Sequence, residues 1–284
     1  MNNENNVKTA MITGANSGIG LELTKKLISE GWQIVALIRS DFPVEEYELQ
    51  QRILEQRVRV YKADLANFGE LRAAIENIKE SEQAIDVLFN NAGGSFDKLY
   101  YSAQSREMHF EIQAVVPYII LSELKALLKK GTNKMVVNTS TNVFNFLREI
   151  TYEELIHPNK FKKLIGPYAT SKLALSLWSQ EVAAELSADG IKILAVDPGG
   201  NNTLRKGRKN GIPFFLQAIM KWFYPHPSKG AGLLYDAGMD KSAYLTGALI
   251  RNGKVRSLKF TKFSTRILKE IQVIYQVEYL KQSY

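Results

Sequence analysis

Two side chains at one helical spacing carry the most pointed chemistry in this sequence. They are the phenol of Tyr168 and the ammonium of Lys172, in Tyr168-Ala169-Thr170-Ser171-Lys172. Residues four apart share a helix face, so the two groups stand one turn apart. A neighbouring cation favours phenolate and draws the phenol pKa down from about 10, which suits general acid/base work near neutrality. Any amphipathic helix can present such a pair, so its meaning depends on its companions.

A glycine-rich turn stands far upstream: Thr13-Gly14-Ala15-Asn16-Ser17-Gly18-Ile19-Gly20, between an apolar run and a helical segment. Such a turn lets backbone amides approach a pyrophosphate at the positive end of a helix. Its spacing is Gly-x3-Gly-x-Gly; the bland alternative is a tight turn that packs helix on strand. The second apolar run ends Leu37-Ile38-Arg39-Ser40. A carboxylate at that place binds ribose hydroxyls, whereas the planar guanidinium of Arg39 suits a 2′-phosphate. NADP(H) is thus favoured over NAD(H), with Asp41 as the competing carboxylate. Asp64-Leu65 follows the third run and Asn90-Asn91-Ala92-Gly93 the fourth. Polar groups at carboxyl ends of parallel strands face the ligand crevice. Asp64 can accept from an adenine amine there, and Asn90 can knit strands.

These groups need a scaffold, and the apolar pattern supplies one. Short apolar runs at Thr9–Thr13, Trp32–Ile38, Val58–Ala63, Ile85–Asn90, Met135–Thr139, Ile191–Val196 and Tyr244–Ile250 alternate with helical segments. The helical segments are Gly18–Glu30, Asn67–Lys79, Ser105–Lys130, which Pro117 should kink, and Tyr168–Ala188. Strands that read as continuous apolar runs between helices indicate an α/β fold, a doubly wound Rossmann-type parallel sheet with helices on both faces. The 284 residues are 45% hydrophobic and 23% charged, which excludes disordered and fibrous classes. Cysteine is absent, which excludes disulfides and thiolate chemistry. The net charge of +8 invites anionic ligands.

The order Thr-Gly-x3-Gly-x-Gly, Asp-Leu, Asn-Asn-Ala-Gly, a Ser/Thr cluster, Tyr-x3-Lys and Pro198-Gly199-x3-Thr203 resembles the short-chain dehydrogenase/reductase family over about residues 7 to 255. Pro227-Ser228-Lys229-Gly230-Ala231 and the long segment before Tyr168 are similar to its retinol dehydrogenase-like branch. The resemblance implies about seven strands and hydride transfer between a nicotinamide and a carbonyl or alcohol. It also implies that Tyr168 protonates the carbonyl oxygen and that Lys172 holds the nicotinamide ribose and lowers the Tyr168 pKa. Gly14, Asn16, Ser17, Gly18, Ile19, Gly20, Arg39, Ser40, Asp64, Leu65, Asn91, Ala92 and Gly93 would hold the cofactor. Pro198, Gly199 and Thr203 would position its carboxamide and phosphates, and Thr246-Gly247 would enter the last strand. The substrate-orienting hydroxyl falls in Asn138-Thr139-Ser140-Thr141; alignment favours Thr141, and Ser140 stays open. Gln113 stands where the family usually has an Asn that supports a proton relay.

The expected organisation is a disordered tail over 1–6, one Rossmann-type domain over 7–255 with substrate loops 142–167 and 200–230, and a basic extension over 256–284. The loops are rich in aromatics: Phe144, Phe146, Phe214, Phe215, Trp222 and Phe223, joined by Phe96. Apolar walls with few polar groups suit a lipophilic aldehyde or ketone; packing of a lid is the alternative. The stretch Ile212–Tyr224 also allows a membrane-surface reading, which ranks below a cytoplasmic protein without membrane contact. His109, His157 and His226 lack metal-ligand spacing, so no metal is expected and each reads as a packing or surface residue. Lys254 to Lys269 reads as a solvated helix or tail, and no nucleic-acid motif accompanies it. Homodimer or homotetramer pairing through the helices of Gln113 and Tyr168 follows from the resemblance alone. The function expected is an NADP(H)-dependent oxidoreductase; the second reading is a nicotinamide-binding sensor or scaffold with little turnover.

Overall fold

Five consecutive buried residues, Thr9–Thr13, form β1, and a buried strand on both faces must lie at the centre of a covered sheet. A computed structural model describes residues 7–201, 225–239 and 244–281 and shows that sheet. Its strands are β1, β2 (Gln33–Ile38), β3 (Val58–Lys62), β4 (Val87–Asn90), β5 (Met135–Thr139), β6 (Lys192–Asp197), β7 (Leu249–Arg251) and β8 (Lys254–Arg256). They lie in the order β3-β2-β1-β4-β5-β6-β7-β8. The first seven are parallel and β8 pairs antiparallel with β7. The sheet therefore has one strand beyond the expected seven. The last parallel strand covers only the end of the Tyr244–Ile250 run, because Gly247 turns the chain with φ +79° just before it. Thr246 accepts the Ile193 amide at 3.1 Å in that turn, which enters β7 as expected.

Two apolar clusters cover the two faces. One face carries α1 (Gly18–Ser29) and α2 (Tyr47–Leu54); the other carries α3 (Phe68–Ser81). The Ser105–Lys130 segment is divided into α4 (Met108–Phe110), a π-helical turn (Glu111–Val115) and α5 (Val116–Lys130). The kink expected from Pro117 takes this form. Pro117 has no amide to donate, and the wider turn just before it relieves the helix. A 3₁₀ turn (Val143–Phe146) and α6 (Tyr152–Ile156) lie within residues 142–167. The next segment divides into α7 (Pro167–Glu181) and α8 (Ala183–Ala188), and α9 (Pro227–Met239) packs beside α1.

The C-terminal segment corrects an expectation. Ser264–Ile274 forms α10, continued by a π-helical turn at Tyr275–Leu280. Its outer side carries exposed Arg266 and Lys269, as a solvated helix would. Its inner side buries Ile267, Ile271 and Ile274 in the core shared with α7, and Tyr279 in the following turn packs edge-on against Phe68 of α3. Apolar residues at helical spacing hold it to the body, and basic residues dominate only the opposite face. Phe144 is likewise fully buried in the core, so it lines no pocket, whereas Phe146 is 74% exposed. Among the described residues no helix is long and apolar enough to cross a membrane.

Candidate active site

The strand order reverses between β1 and β4, and such a switch point opens a crevice at the carboxyl ends of the strands. Gly14 ends β1 with φ +67°, and a Cβ there would meet the Ala92 backbone at 3.1 Å. A Cβ on Gly20 would lie 2.2 Å from the Gly14 carbonyl oxygen. The glycines therefore let the turn fold flat onto the start of α1, whose free amides from Gly18 onward face the crevice. Ile19 packs into the core beneath them, and Ser17 is the N-cap of α1. Thr13, the first residue of the glycine-rich motif, staples the floor. Its hydroxyl accepts the Asn91 and Ala92 amides at 3.0 and 2.9 Å, and the Asn91 side chain donates to the Thr13 carbonyl at 3.2 Å. Asn90 knits the sheet through Asn138 at 2.8 Å, and Asn138 donates onward to Ser179.

The β2 end gathers the groups expected around the adenosine. Asn16 donates to the Ser40 carbonyl at 2.6 Å and the Ser40 hydroxyl at 3.1 Å, tying the glycine-rich turn to this loop. Arg39 is 58% exposed and 3.5 Å from the Asp64 carboxylate. Asp64 also caps the next turn through the Ala66 amide at 3.0 Å, while Leu65 packs into the core. Asp41 pairs with Lys62 at 2.7 Å. At the β6 end, Pro198 precedes Gly199, whose φ is +74° and whose Cβ position is open space. Asn201, a residue without a sequence signal, donates to the Pro198 and Gly199 carbonyls and accepts the Gly230 amide at the start of α9. Thr203 and the aromatics from Phe214 to Phe223 lie outside the described residues.

Tyr168 projects from the first turn of α7 and is half-buried. The Thr141 hydroxyl accepts the Val143 amide at 3.3 Å and is the neighbour that pulls the Tyr168 phenol pKa down. The Ser140 hydroxyl is bonded to that of Ser176 at 2.7 Å. Lys172 is 4% exposed and donates to the Thr139 carbonyl at 2.6 Å. Burial pulls its pKa down to about 7. Burial also lifts the Tyr168 phenol above its ordinary value; Thr141 pulls it back and Asp197 adds to the rise. The lowering of the phenol by Lys172 expected from spacing alone is therefore absent in this state. The ammonium is itself disfavoured by burial and is directed at a backbone carbonyl. Gln113 donates to the Gly94 carbonyl at 3.1 Å, its side chain packed against Gly93, and its buried amide oxygen has no hydrogen-bond partner among the described residues.

Sequence reading treated His109 as a packing residue. It is fully buried, and its ring lies 6.4 Å from that of Tyr168 and 4.6 Å from that of Phe96. Glu107 caps α4 and holds the imidazole at 2.6 Å. A glutamate is an unusual N-cap, which hid the pair. No group of three or more metal-ligating side chains occurs among the described residues.

This arrangement fits a dinucleotide: glycines leave the floor open, helix amides face it, and polar strand ends surround it. The family model for short chain dehydrogenases matches residues 8–148. The chain is 31% identical to retinol dehydrogenase 11 of Homo sapiens over 229 residues, covering 79% of this chain and 70% of that relative. An oxidoreductase from Brucella ovis, solved in complex with a partially ordered NAD, superposes with a TM-score of 0.58 at 23% identity, over 86% of this chain and 98% of that one. A blue fluorescent protein from a metagenomic library, solved with NADPH, superposes with a TM-score of 0.64 at 20% identity, over 86% and 95%. The chain belongs to the short-chain dehydrogenase/reductase family, on its retinol dehydrogenase-like side, and is an NAD(P)-dependent oxidoreductase.

Proposed function

We propose that this oxidoreductase uses NADP(H) and reduces a lipophilic aldehyde or ketone, with Tyr168 as the proton donor. The observation that carries the reading is Tyr168 in the first turn of α7, one turn from the buried Lys172 and near enough to Thr141 for that hydroxyl to pull the phenol pKa down. The nicotinamide supplies the hydride when bound. A phenol held above its ordinary pKa stays protonated at neutral pH, which suits donation to a carbonyl oxygen as negative charge develops there. Thr141 can donate a second hydrogen bond to the same oxygen and so orient the carbonyl. Lys172 would hold the nicotinamide ribose, and Pro198 and Gly199 would leave room for the carboxamide. Asn91, Ala92 and Gly93 would line the crevice.

Cofactor choice rests on the β2 end. Arg39 stands exposed with Ser40 and Asn16 beside it, a set able to donate to a phosphate. Asp41, the carboxylate that would favour an unphosphorylated ribose, is turned to Lys62. Both NAD and NADPH occur among the structural neighbours, so the preference stands on these residues alone. Half-buried Phe96, one ring removed from Tyr168 through His109, would give the pocket an apolar wall, in keeping with a lipophilic substrate. Titration with NADPH and with NADH, followed by nicotinamide fluorescence, tests the proposal. Tighter binding of NADPH is the expected result. Equal or tighter binding of NADH would remove Arg39 from the site and restore Asp41 to it.

A further inference from the structure

We propose that His109, fixed by Glu107, and Gln113 are positioning residues that suspend the Gly94–Phe96 backbone and so set Phe96, one ring removed from Tyr168, as a substrate wall. The inference rests on the reading of a lipophilic carbonyl pocket given above.

The segment needs outside support. Gly93 and Gly94 have φ of +147° and +152°, a conformation no strand or helix ladder holds. Two bonds tie the stretch to the start of the next helical segment. Gln113 donates to the Gly94 carbonyl at 3.1 Å, and the Phe96 amide donates to His109 Nε2 at 3.1 Å. His109 and Gln113 are four residues apart, so one face of the segment presents both anchors.

The dyad fixes the direction of the second bond. The Glu107 carboxylate accepts the backbone amides of His109 and Phe110 at 2.9 and 3.0 Å through one oxygen. Its other oxygen lies 2.6 Å from His109 Nδ1. An ionised carboxylate only accepts, so Nδ1 carries the proton and Nε2 is left as an acceptor for Phe96. The Phe96 ring then rests edge-on to the imidazole, and the imidazole edge-on to the Tyr168 ring. Loss of the Nε2 acceptor leaves a partly buried amide unpaired and frees the wall while the phenol stays in place.

The test uses the full chain and three variants: His109→Leu, His109→Gln and Phe96→Ala. The first readout is hydrogen exchange of the segment 94–100, which depends on neither turnover nor cofactor choice. His109→Leu should speed exchange of the Phe96 amide about ten-fold, the scale of one lost hydrogen bond. His109→Gln, whose amide oxygen can accept at similar reach, should keep it protected. The second readout is reduction of decanal with NADPH. His109→Leu and Phe96→Ala should each raise KM about ten-fold with kcat within about two-fold, and His109→Gln should restore KM. Unchanged exchange in His109→Leu would overturn the suspension. A fall in kcat with KM unchanged would place His109 in the environment of the phenol and overturn the wall. Should His109→Leu fail to fold, Phe96→Ala decides the wall, since an unchanged KM there refutes it, and His109→Gln decides the anchor. Absence of any aldehyde turnover by the parent protein would count against the proposed function, with the exchange result still judging the anchor.

Discussion

Replacing Lys172 by methionine should make the free protein more stable while removing its turnover. Lys172 is 4% exposed, and burial alone takes its pKa from 10.5 to about 7. A lysine with a lower pKa folded than unfolded binds fewer protons in the folded state between those values. Stability therefore rises with pH across that window, and the whole burial cost is carried below about 7. At about 1.4 kcal/mol per pKa unit, that cost is on the order of 5 kcal/mol. The bond from Nζ to the Thr139 carbonyl is lost in the variant, which returns about 2–3 kcal/mol. The net gain at about pH 6 is on the order of 2 kcal/mol, a few degrees in Tm for a chain of this size. By about pH 9 most of the penalty has gone, and the two proteins should melt together. Thermal melts at both pH values read this directly. A variant that melts below the parent by the same margin at both would show that burial does not penalise this ammonium, and the reasoning would fail.

Three further outcomes follow from other groups. Arg39→Asp should lower the ratio of NADPH to NADH affinity by about 10- to 100-fold, the loss of one charge-assisted bond plus repulsion, read by fluorescence titration. Thr141→Val should cut kcat by about 10²–10³-fold, as for a lost oxyanion donor. It should also move the phenol's limb of the pH profile upward, because Thr141 is what pulls that pKa back. Arg106→Met should cost about 3–5 kcal/mol, since it strips the buried Glu111 carboxylate of its cation. Glu111 already sits at about 7, above its ordinary 4.5, so its charge is tolerated less as pH rises. The Tm deficit of the variant should therefore be larger at about pH 8 than at about pH 5.

The parallel sheet was legible because each central strand is buried on both faces and reads as an unbroken apolar run. The site was legible where chemistry needs a residue type at a fixed spacing, as in the glycine-rich turn and Tyr168–Lys172. What escaped depends on tertiary context. Helix α2 buries only Leu49 fully, so it has little apolar signature. α6 does carry a signal, the capping box of Thr151 and Glu154, inside what reads as loop. β8 is exposed at all three positions and exists because it pairs with β7 at the sheet edge. Asn201 and the Glu107–His109 pair act through backbone amides distant in sequence, and no local pattern announces such partners. The direction of Lys172 shows the same limit: helical spacing puts it one turn from Tyr168, and only the fold turns its ammonium to Thr139.

The central claim is that Tyr168 gives a proton to a carbonyl while NADPH gives the hydride. A single-turnover reaction of NADPH with decanal, followed by nicotinamide absorbance, tests it in the parent protein and in Tyr168→Phe. The parent should oxidise NADPH, and the variant should do so at a rate lower by about 10²–10⁴-fold with NADPH affinity unchanged. Equal rates in the two proteins would contradict the claim.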